Sequence, residues 1–435
     1  MKYIISTLGC KVNQYETQAM ETILTSHGHT PCVPGEIADA VIVNTCAVTA
    51  ESGRKSRQAI RRLRDENPGA VLAVAGCYSQ ISADDVAALG ADVIFGAADR
   101  TKLVEAVENA VANGEKCRSI DRPFDRRVFE QLPSGAISGR TRAMLKIQDG
   151  CVNFCTYCII PYTRGRLRSL PIESAVAETK KLHDEGYTEI VLTGIEVASY
   201  GLDLPGKPGL EKVICAVAEA APDMRIRLSS LEPTVITEDF CRALADTRRL
   251  CRHFHLSLQS GCDKTLKAMN RKYDTARFLA ACELLRKYFP GCALTADLIT
   301  GFPGETEEDH AQTLEFIRRC AFSAMHIFPY SRRPGTPADK MPGQLVSAVK
   351  SERAHEAQKI ADEMHREFML SSVGQVLPVL FETEEDGFCF GHSDTYLMVK
   401  VRASSLRRQI RDVRITEVEG DVLYGDLIDI LPPIN

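Results

Sequence analysis

Sixteen cysteines are too many for an ordinary reduced chain of 435 residues, and six of them stand where thiolates can do chemistry. Cys151, Cys155 and Cys158 fall within eight residues, in GCVNFCTYC. Thiolates at such spacing hold iron–sulfur clusters, but a 4Fe–4S cube takes four ligands. Three protein ligands leave one iron open, as a catalytic metal site does. The other reading, a structural zinc site, lacks a fourth ligand nearby. Cys10, Cys46 and Cys77 are 36 and 31 residues apart, yet each follows an apolar run: YIISTLGC, AVIVNTC and AVLAVAGC. If those runs are parallel strands, their ends share one edge of a sheet, where ligands bind. The three thiols then form either a second open-iron site or a chance set of core cysteines. Cysteines 32, 117, 215, 241, 251, 262, 282, 292, 320 and 389 show no ligand spacing and read as packing residues, with Cys262 the least typical.

Elements to position these thiols follow from hydrophobic periodicity. Strands are expected at residues 3–8, 40–43, 70–75 and 91–95, separated by helical patterns, which makes a parallel-sheet α/β domain over residues 1–120. Residues 121–138 carry Pro, Gly, Ser and charge and read as a linker. From residue 139 to 370 six strand–helix units (strands at 143–148, 189–193, 225–229, 253–259, 293–299 and 324–329) fit a partial (β/α)6 barrel. Its active site is expected at the C-terminal strand ends. Helices are expected at 172–185, 275–288, 307–320 and 345–370. Residues 371–435 alternate over short spans (376–381, 388–390, 395–401, 427–430), as a small β-barrel does. The fold class is thus multidomain α/β with a β-barrel at the C-terminus.

The strand pattern also says what fills the barrel. One face is repeatedly polar: Lys146 and Gln148; Arg225, Arg227 and Ser229; His253, His255, Ser257 and Gln259; Thr295 and Asp297. This reads as a ligand-filled lumen or as ordinary interstrand hydrogen bonding. Residues 52–64, SGRKSRQAIRRLR, hold six bases and no acid, and a helix puts Arg54, Arg57, Arg61 and Arg64 on one face. A second basic cluster, Lys400, Arg402, Arg407, Arg408, Arg411 and Arg414, stands in the last module. Each stripe is either a solvated face or a track for an RNA backbone, although the whole chain carries a net charge of −5. With no Trp in the chain, base stacking would fall to Tyr, Phe, His or Arg. No apolar run approaches the roughly 18–20 residues that span a bilayer. The polar N-terminus reads as a strand rather than a signal peptide, so a cytoplasmic protein with no membrane partner is expected.

With both triplets in place, the chain resembles the radical S-adenosylmethionine (radical SAM) methylthiotransferases over nearly its whole length. TLGCKVNQYET, NTCAVT, GCVNFCTYCIIPYTRGRLRS, LTGIEVASYG, RLSSLEP, HFHLSLQSGCDKTLKAMNR, DLITGFPGET and FPYSRRPGTPA fit that family in order. Leu170 and Ser257 depart from the residues expected beside its motifs. The resemblance implies an N-terminal cluster domain, a radical SAM barrel and a C-terminal TRAM module. It implies two 4Fe–4S clusters, one on Cys10, Cys46 and Cys77 and one on the catalytic Cys151, Cys155 and Cys158. It also implies SAM as radical source and methyl donor. Tyr157, Thr193, Gly194, Glu196, Ser230, Glu232, Gln259 and Asp297 are the SAM contacts it suggests. The opening TLGCKVNQYET looks most like the MtaB-type branch, which implies 2-methylthiolation of N6-threonylcarbamoyladenosine at tRNA position 37. The implied partners are the anticodon stem-loop and an electron donor such as flavodoxin or ferredoxin. Candidate RNA contacts are Arg54, Arg57, Arg61, Arg164, Arg166, Arg168 and the six bases from Lys400 to Arg414. The alternatives are a RimO-type enzyme acting on a ribosomal-protein aspartate, and a non-catalytic iron–sulfur RNA-binding protein.

Overall fold

The structure, a computed structural model, describes residues 1–133, 141–247 and 249–428. Strands β1 (Lys2–Thr7), β2 (Thr30–Pro31), β3 (Ala40–Thr45), β4 (Val71–Gly76), β5 (Val93–Phe95) and β6 (Cys117–Ser119) form one sheet in the order β2-β1-β3-β4-β5-β6. Every pairing in it is parallel. Helices cover both faces. Helix α1 (Lys11–Ser26) packs Met20, Ile23 and Leu24 with Leu103, Val104 and Val107 on one side. Helix α2 (Ala50–Glu66) packs Ile60 and Leu63 on the other. All six residues of β3 are buried, as befits a central parallel strand. The two- and three-residue strands β2 and β6 were not expected; such lengths leave no periodic signal.

In the second domain β7 (Arg142–Asp149), β8 (Arg168–Ser169), β9 (Glu189–Gly194) and β10 (Arg225–Leu228) form one sheet, and β11 (His253–Gln259), β12 (Ala293–Thr300) and β13 (Ala324–Pro329) another. Parallel bridges Ile226↔Leu250 and Leu231↔Leu256 join the two. The result is the six-stranded open barrel the periodicity predicts, with β8 an added antiparallel edge. The helices expected at 275–288 and 307–320 run Thr275–Tyr288 and Glu307–Cys320. Two short helices lie beside the cysteines: α3 (Cys77–Ile81) and α4 (Ile160–Arg164). The long helix α5 (Ser347–Ser371) leads to the last module.

There β14 (Val376–Glu385), β15 (Phe388–Ser393), β16 (Met398–Arg402), β17 (Ile410–Glu419) and β18 (Val422–Leu427) close a barrel in the order β14-β15-β16-β18-β17. Strand β17 was not expected. It buries only Val413 and Ile415 among charged neighbours, so its alternation is weak. The strand expected at 427–430 is instead β18, ending at Leu427; residues 429–435 lie outside the described ones, as do 134–138 of the expected linker.

Buried charge joins the three parts. The Glu16 carboxylate of α1 meets Arg100, Lys146 of β7 and Arg164 of α4, all without solvent exposure. Lys146 also reaches Asp149 at 2.9 Å. Burial pushes the Glu16 carboxyl up, but the charges of Arg164, Arg100 and Lys146 outweigh it and hold its pKa at about 2. At the other junction Arg225 and Arg227 share the Glu189 carboxylate at 2.5 and 2.9 Å. Their remaining N–H groups donate to the carbonyls of Pro378, His392, Ser393 and Asp394 in the terminal barrel. Tyr396 completes that junction, stacked between His253 (5.1 Å) and His392 (4.8 Å) with the Arg227 guanidinium 4.7 Å from its ring.

Lys146, Arg225 and Arg227, read as lining a ligand-filled lumen or as ordinary interstrand hydrogen bonding, are engaged in these junctions, Arg225 and Arg227 through an interstrand pairing to Glu189. The polar strand face is in part an interdomain fastening, because a buried charge is tolerated only when paired.

Candidate two-cluster active site

Strand register brings the distant cysteines together. Thr7 pairs with Asn44 and Thr45 with Gly76, so Cys10, Cys46 and Cys77 leave neighbouring strand ends. At Gly9 the chain turns with φ of +110°, and a Cβ there would stand 2.9 Å from Cys46 Cβ and 3.1 Å from its Sγ. Only glycine lets the Cys10 turn approach that closely. Asn13 pins it: Nδ2 donates to Leu8 O and Thr45 O, and Oδ1 faces Cys10 Sγ at 3.8 Å. Cys10 is the N-cap of α1 and Cys77 opens α3, while Cys46 lies three residues before Thr49, the N-cap of α2.

The second triplet is held by its loop. Gly150 has φ of +74°, and a Cβ there would lie 1.9 Å from Arg166 O. Cys158 N donates to Cys155 O at 2.9 Å, Thr156 N to Met269 O, and Asn270 Nδ2 to the carbonyls of Asn153 and Phe154. Arg271 Nη1 donates to Cys155 Sγ at 3.2 Å.

The triplets approach each other across the domain interface: Cys77 and Tyr78 pack in one buried cluster with Ile159, the residue after Cys158, and Arg164 Nη2 donates to Asn13 Oδ1 at 2.9 Å. The donor set fits iron–sulfur ligation. Burial raises the thiols of Cys10 to about 11 and of Cys151 and Cys158 to about 12, so the ligating thiolate form depends on a bound cation. Cys10 is nevertheless exposed, unlike Cys46 and Cys77. Among the described residues no three His, Cys, Asp or Glu side chains close on a single metal ion; a cube spreads its ligands wider.

Of the residues suggested for SAM, Tyr157 lies in the loop of the second triplet and Glu232 shares Arg271 with Cys155. Tyr157 packs edge-on to Phe302, and its OH accepts from Arg271 at 3.4 Å. Thr193 is buried; at Gly194 a Cβ would meet Gln148 at 2.9 Å. Gln148 Oε1 accepts from Glu196 N at 2.7 Å. Burial, then the Glu232 charge, raises the Glu196 carboxyl to about 7. Glu232 pairs with Arg271 at 2.6 Å. Ser230 is exposed; Gln259 ends β11 with φ of +65°; Asp297 meets His255 at 3.3 Å.

Of the suggested RNA contacts, two need correction. Arg164 and Arg168 are buried: the first is bound to Glu16 and Asn13, the second to Asp149 and the carbonyls of residues 164 and 166. They hold the loop and the interface, so neither faces RNA. Arg166 is exposed and donates to Phe124 O. Arg57 reaches Tyr78 OH at 3.1 Å and, with Tyr162 and Arg333, lines a cleft of about 630 Å³ beside Cys77 and Cys158. Arg54 pairs with Glu51, and Arg61 is exposed. In the terminal barrel Lys400 Nζ lies 4.2, 5.5 and 5.1 Å from the ring centres of Phe388, Phe390 and Tyr424. Arg402, Arg407, Arg408, Arg411 and Arg414 are exposed, with Arg411 on Gln409 and Arg414 on Gly374 O.

Asn13, Glu16, Arg271 and Arg333 went unnoticed in the sequence reading. Asn13 and Glu16 lie inside TLGCKVNQYET and Arg271 ends the MNR stretch, but only three-dimensional packing gives them a task.

Comparison with known proteins agrees with this architecture. The Radical SAM superfamily matches residues 145–317, and Uncharacterized protein family UPF0004 matches residues 2–96. The chain is 39% identical over 400 residues, 90% of its length and 88% of the relative's, to the threonylcarbamoyladenosine tRNA methylthiotransferase MtaB of Bacillus subtilis. It is 35% identical over 437 residues to the tRNA-2-methylthio-N(6)-dimethylallyladenosine synthase of Carboxydothermus hydrogenoformans, covering 98% of this chain and 99% of that one. Among solved structures, the radical S-adenosylmethionine methyltransferase TsrM of Kitasatospora setae shares the fold with a TM-score of 0.57. The sequence identity is 15%, covering 88% of this chain and 79% of that one.

Proposed function

The chain belongs to the radical SAM methylthiotransferase family, and from that premise we propose that it converts N6-threonylcarbamoyladenosine at tRNA position 37 to its 2-methylthio derivative. The observation that supports this best is the approach of two three-cysteine sets at one interface. Adenine C2 bears an unactivated C–H bond, so a base or nucleophile alone does not suffice. When bound, a 4Fe–4S cluster with SAM at Cys151, Cys155 and Cys158 supplies the radical for C2, a second cluster at Cys10, Cys46 and Cys77 presents sulfur, and a second SAM gives the methyl group.

The chain's own residues do the rest. Arg271 holds Cys155, Tyr157 and Glu232 in one network, which fixes the mouth of the barrel. Glu196 and Glu232 offer carboxylates to the methionyl ammonium, with Thr193 and Gly194 at the same strand end. Ser230, Gln259 and Asp297 are further SAM contacts in this proposal. Asn13 and Arg164 keep the two loops in register. The anticodon stem-loop of tRNA lies along Arg54, Arg57, Arg61 and Arg166 and reaches the bases from Lys400 to Arg414 in the terminal module. A flavodoxin or ferredoxin supplies the electron. The proposed setting is the cytoplasm; no helix among the described residues is long and apolar enough to cross a membrane.

Two measurements test this. Nucleoside mass spectrometry of tRNA from a deletion strain is expected to lose the 2-methylthio form and accumulate N6-threonylcarbamoyladenosine. Purified enzyme, offered threonylcarbamoyl and isopentenyl tRNAs in one pot, is expected to modify the first. Product mainly on the isopentenyl tRNA transfers the protein to the branch that the Carboxydothermus relative is named for, with the radical chemistry left standing.

A further inference from the structure

Helix α2 and the segment that follows β13 leave a cleft of about 790 Å³ between them, lined by Thr49, Ser52 and Lys55 on one side and by Phe328, Arg332 and Lys350 on the other. Two helices begin at it. Helix α2 starts after Thr49, whose hydroxyl accepts from Ser52 N. Helix α5 starts after Val346, which offers no side-chain cap, and its first turn carries no acid. The positive ends of two backbones therefore bear on one space. Lys350 belongs to that first turn and is only 8% exposed, with Nζ 5.0 Å from the ring centre of Tyr330. Among the described residues its ammonium makes no hydrogen bond or ion pair. Burial, then the like charge of Arg332, lowers its pKa. The acids nearby are taken: Glu51 accepts from Arg54 at 2.7 Å, and Asp339 meets Arg332 at 3.0 Å. Lys350 and the exposed Lys55 are left over. A buried ammonium without an anion is costly, and a phosphate at a helix start relieves that cost. Phe328 brings a second chemistry to the same cleft, a ring 48% exposed on a barrel strand, on which a base can stack.

We propose that this cleft binds one nucleotide of the substrate RNA beside the modified adenosine, its phosphate on Lys350 and the start of α5 with Lys55 adjoining, its base on Phe328. The role rests on the function proposed above. The cleft adjoins the chemistry from both domains. Thr49 lies three residues after Cys46, and Cys46 N donates to Ser56 Oγ of α2 at 3.2 Å. Phe328 lies two residues after His326, the register partner of Asp297. Arg333, from the segment after β13, donates to Thr49 O at 2.9 Å and ties the two sides together. The same helix α2 carries Arg54, Arg57 and Arg61, so a backbone that follows those bases continues into the cleft.

The test uses the full-length enzyme with both clusters loaded and anticodon stem-loop RNAs that carry threonylcarbamoyladenosine and, in turn, one neutral methylphosphonate at each loop linkage. The wild type is expected to lose about tenfold in affinity when the linkage seated here is neutral, the size of a charge-assisted contact. Lys350→Met should bind the all-phosphate RNA about tenfold more weakly and lose its response at that one linkage while keeping it at the others. Phe328→Ala should weaken binding by about tenfold whichever linkage is neutral, and Phe328→Tyr should restore it. Iron and sulfide content and the thermal midpoint report whether each variant is loaded and folded. Wild-type RNA affinity in Phe328→Ala overturns the site, as does an unaltered linkage response in Lys350→Met or, should that variant not fold, in Lys55→Gln. Adenosine 5′-monophosphate that binds the wild type and is not displaced by the stem-loop overturns RNA as the occupant. Failure of the wild type to methylthiolate any threonylcarbamoyl stem-loop overturns the functional reading instead, and the cleft is then judged on the same linkage responses with an isopentenyl stem-loop.

Discussion

The two cysteine triplets solve one problem in opposite ways. Cys151, Cys155 and Cys158 come from a single loop, fixed by local turns and by Asn270 and Arg271 from one neighbouring segment. Cys10, Cys46 and Cys77 come from three strand ends, and their proximity depends on the register of a whole sheet. A loop site survives small shifts of the domain around it; a strand-end site is only as good as the packing of α1, α2 and β1 to β4. The sheet-built site in turn borrows stiffness from the barrel through Asn13, Arg164 and Glu16.

Loss of a ligand breaks the comparison most severely. Cys151→Ala should abolish reductive SAM cleavage and all product. Cys46→Ala should halve the iron content, retain SAM cleavage without tRNA, and make no methylthio nucleoside; full product from Cys46→Ala would falsify the division of roles. Next in size is the fastening between the sites. Glu16→Gln leaves Arg100, Lys146 and Arg164 facing one another in the interior, a loss of about 3–5 kcal/mol that lowers the thermal midpoint. The Glu16 carboxylate, with its pKa near 2 when folded, contributes stability that is complete above the ordinary carboxylate value and lost as pH falls through 2. The wild type should therefore weaken over that window and Glu16→Gln should change less.

A smaller effect sharpens the loop site. Glu196, raised to about 7 by burial and then by Glu232, is mostly neutral at pH 6 and ionised at pH 8. SAM affinity by equilibrium dialysis should rise by up to about tenfold over that interval, and Glu196→Gln should remove the rise. The same raised value means that Glu196 opposes folding increasingly as pH climbs from the ordinary carboxylate range toward 7. The smallest change concerns RNA. Lys400→Ala should weaken tRNA binding and lower the slope of log affinity against log salt by about one. An unchanged slope would place the RNA elsewhere on the module.

The loop triplet was legible because its spacing is local, and the strand-end triplet because three apolar runs each ended in a cysteine. Periodicity also marked the barrel strands, since parallel strands flanked by helices carry long apolar runs. It failed where the signal is weak by nature. Strand β17 buries two residues among charges, and β2 and β6 are too short to show a period. The polar barrel face was seen, with a filled lumen and interstrand bonding both open, but its fastening role was not: nothing in the spacing of Lys146, Arg225 and Arg227 distinguishes a lumen residue from one that binds another domain. The same holds for Arg164 and Arg168, whose exposed-looking loop is buried by α1 and its neighbours.

Arg225 and Arg227, by holding four carbonyls of the terminal barrel, have a consequence for catalysis at a distance. A module swinging on a flexible tether would bring its RNA to the reacting centre only at the concentration the tether allows. Fastened as it is, the module loses its orientational freedom during folding, before any RNA arrives. A stem-loop held on its surface, as proposed above, would then meet the cysteine triplets as an intramolecular reactant, with an effective molarity set by the rigidity of the junction. In that proposal, arginines far from the chemistry contribute to turnover without touching substrate.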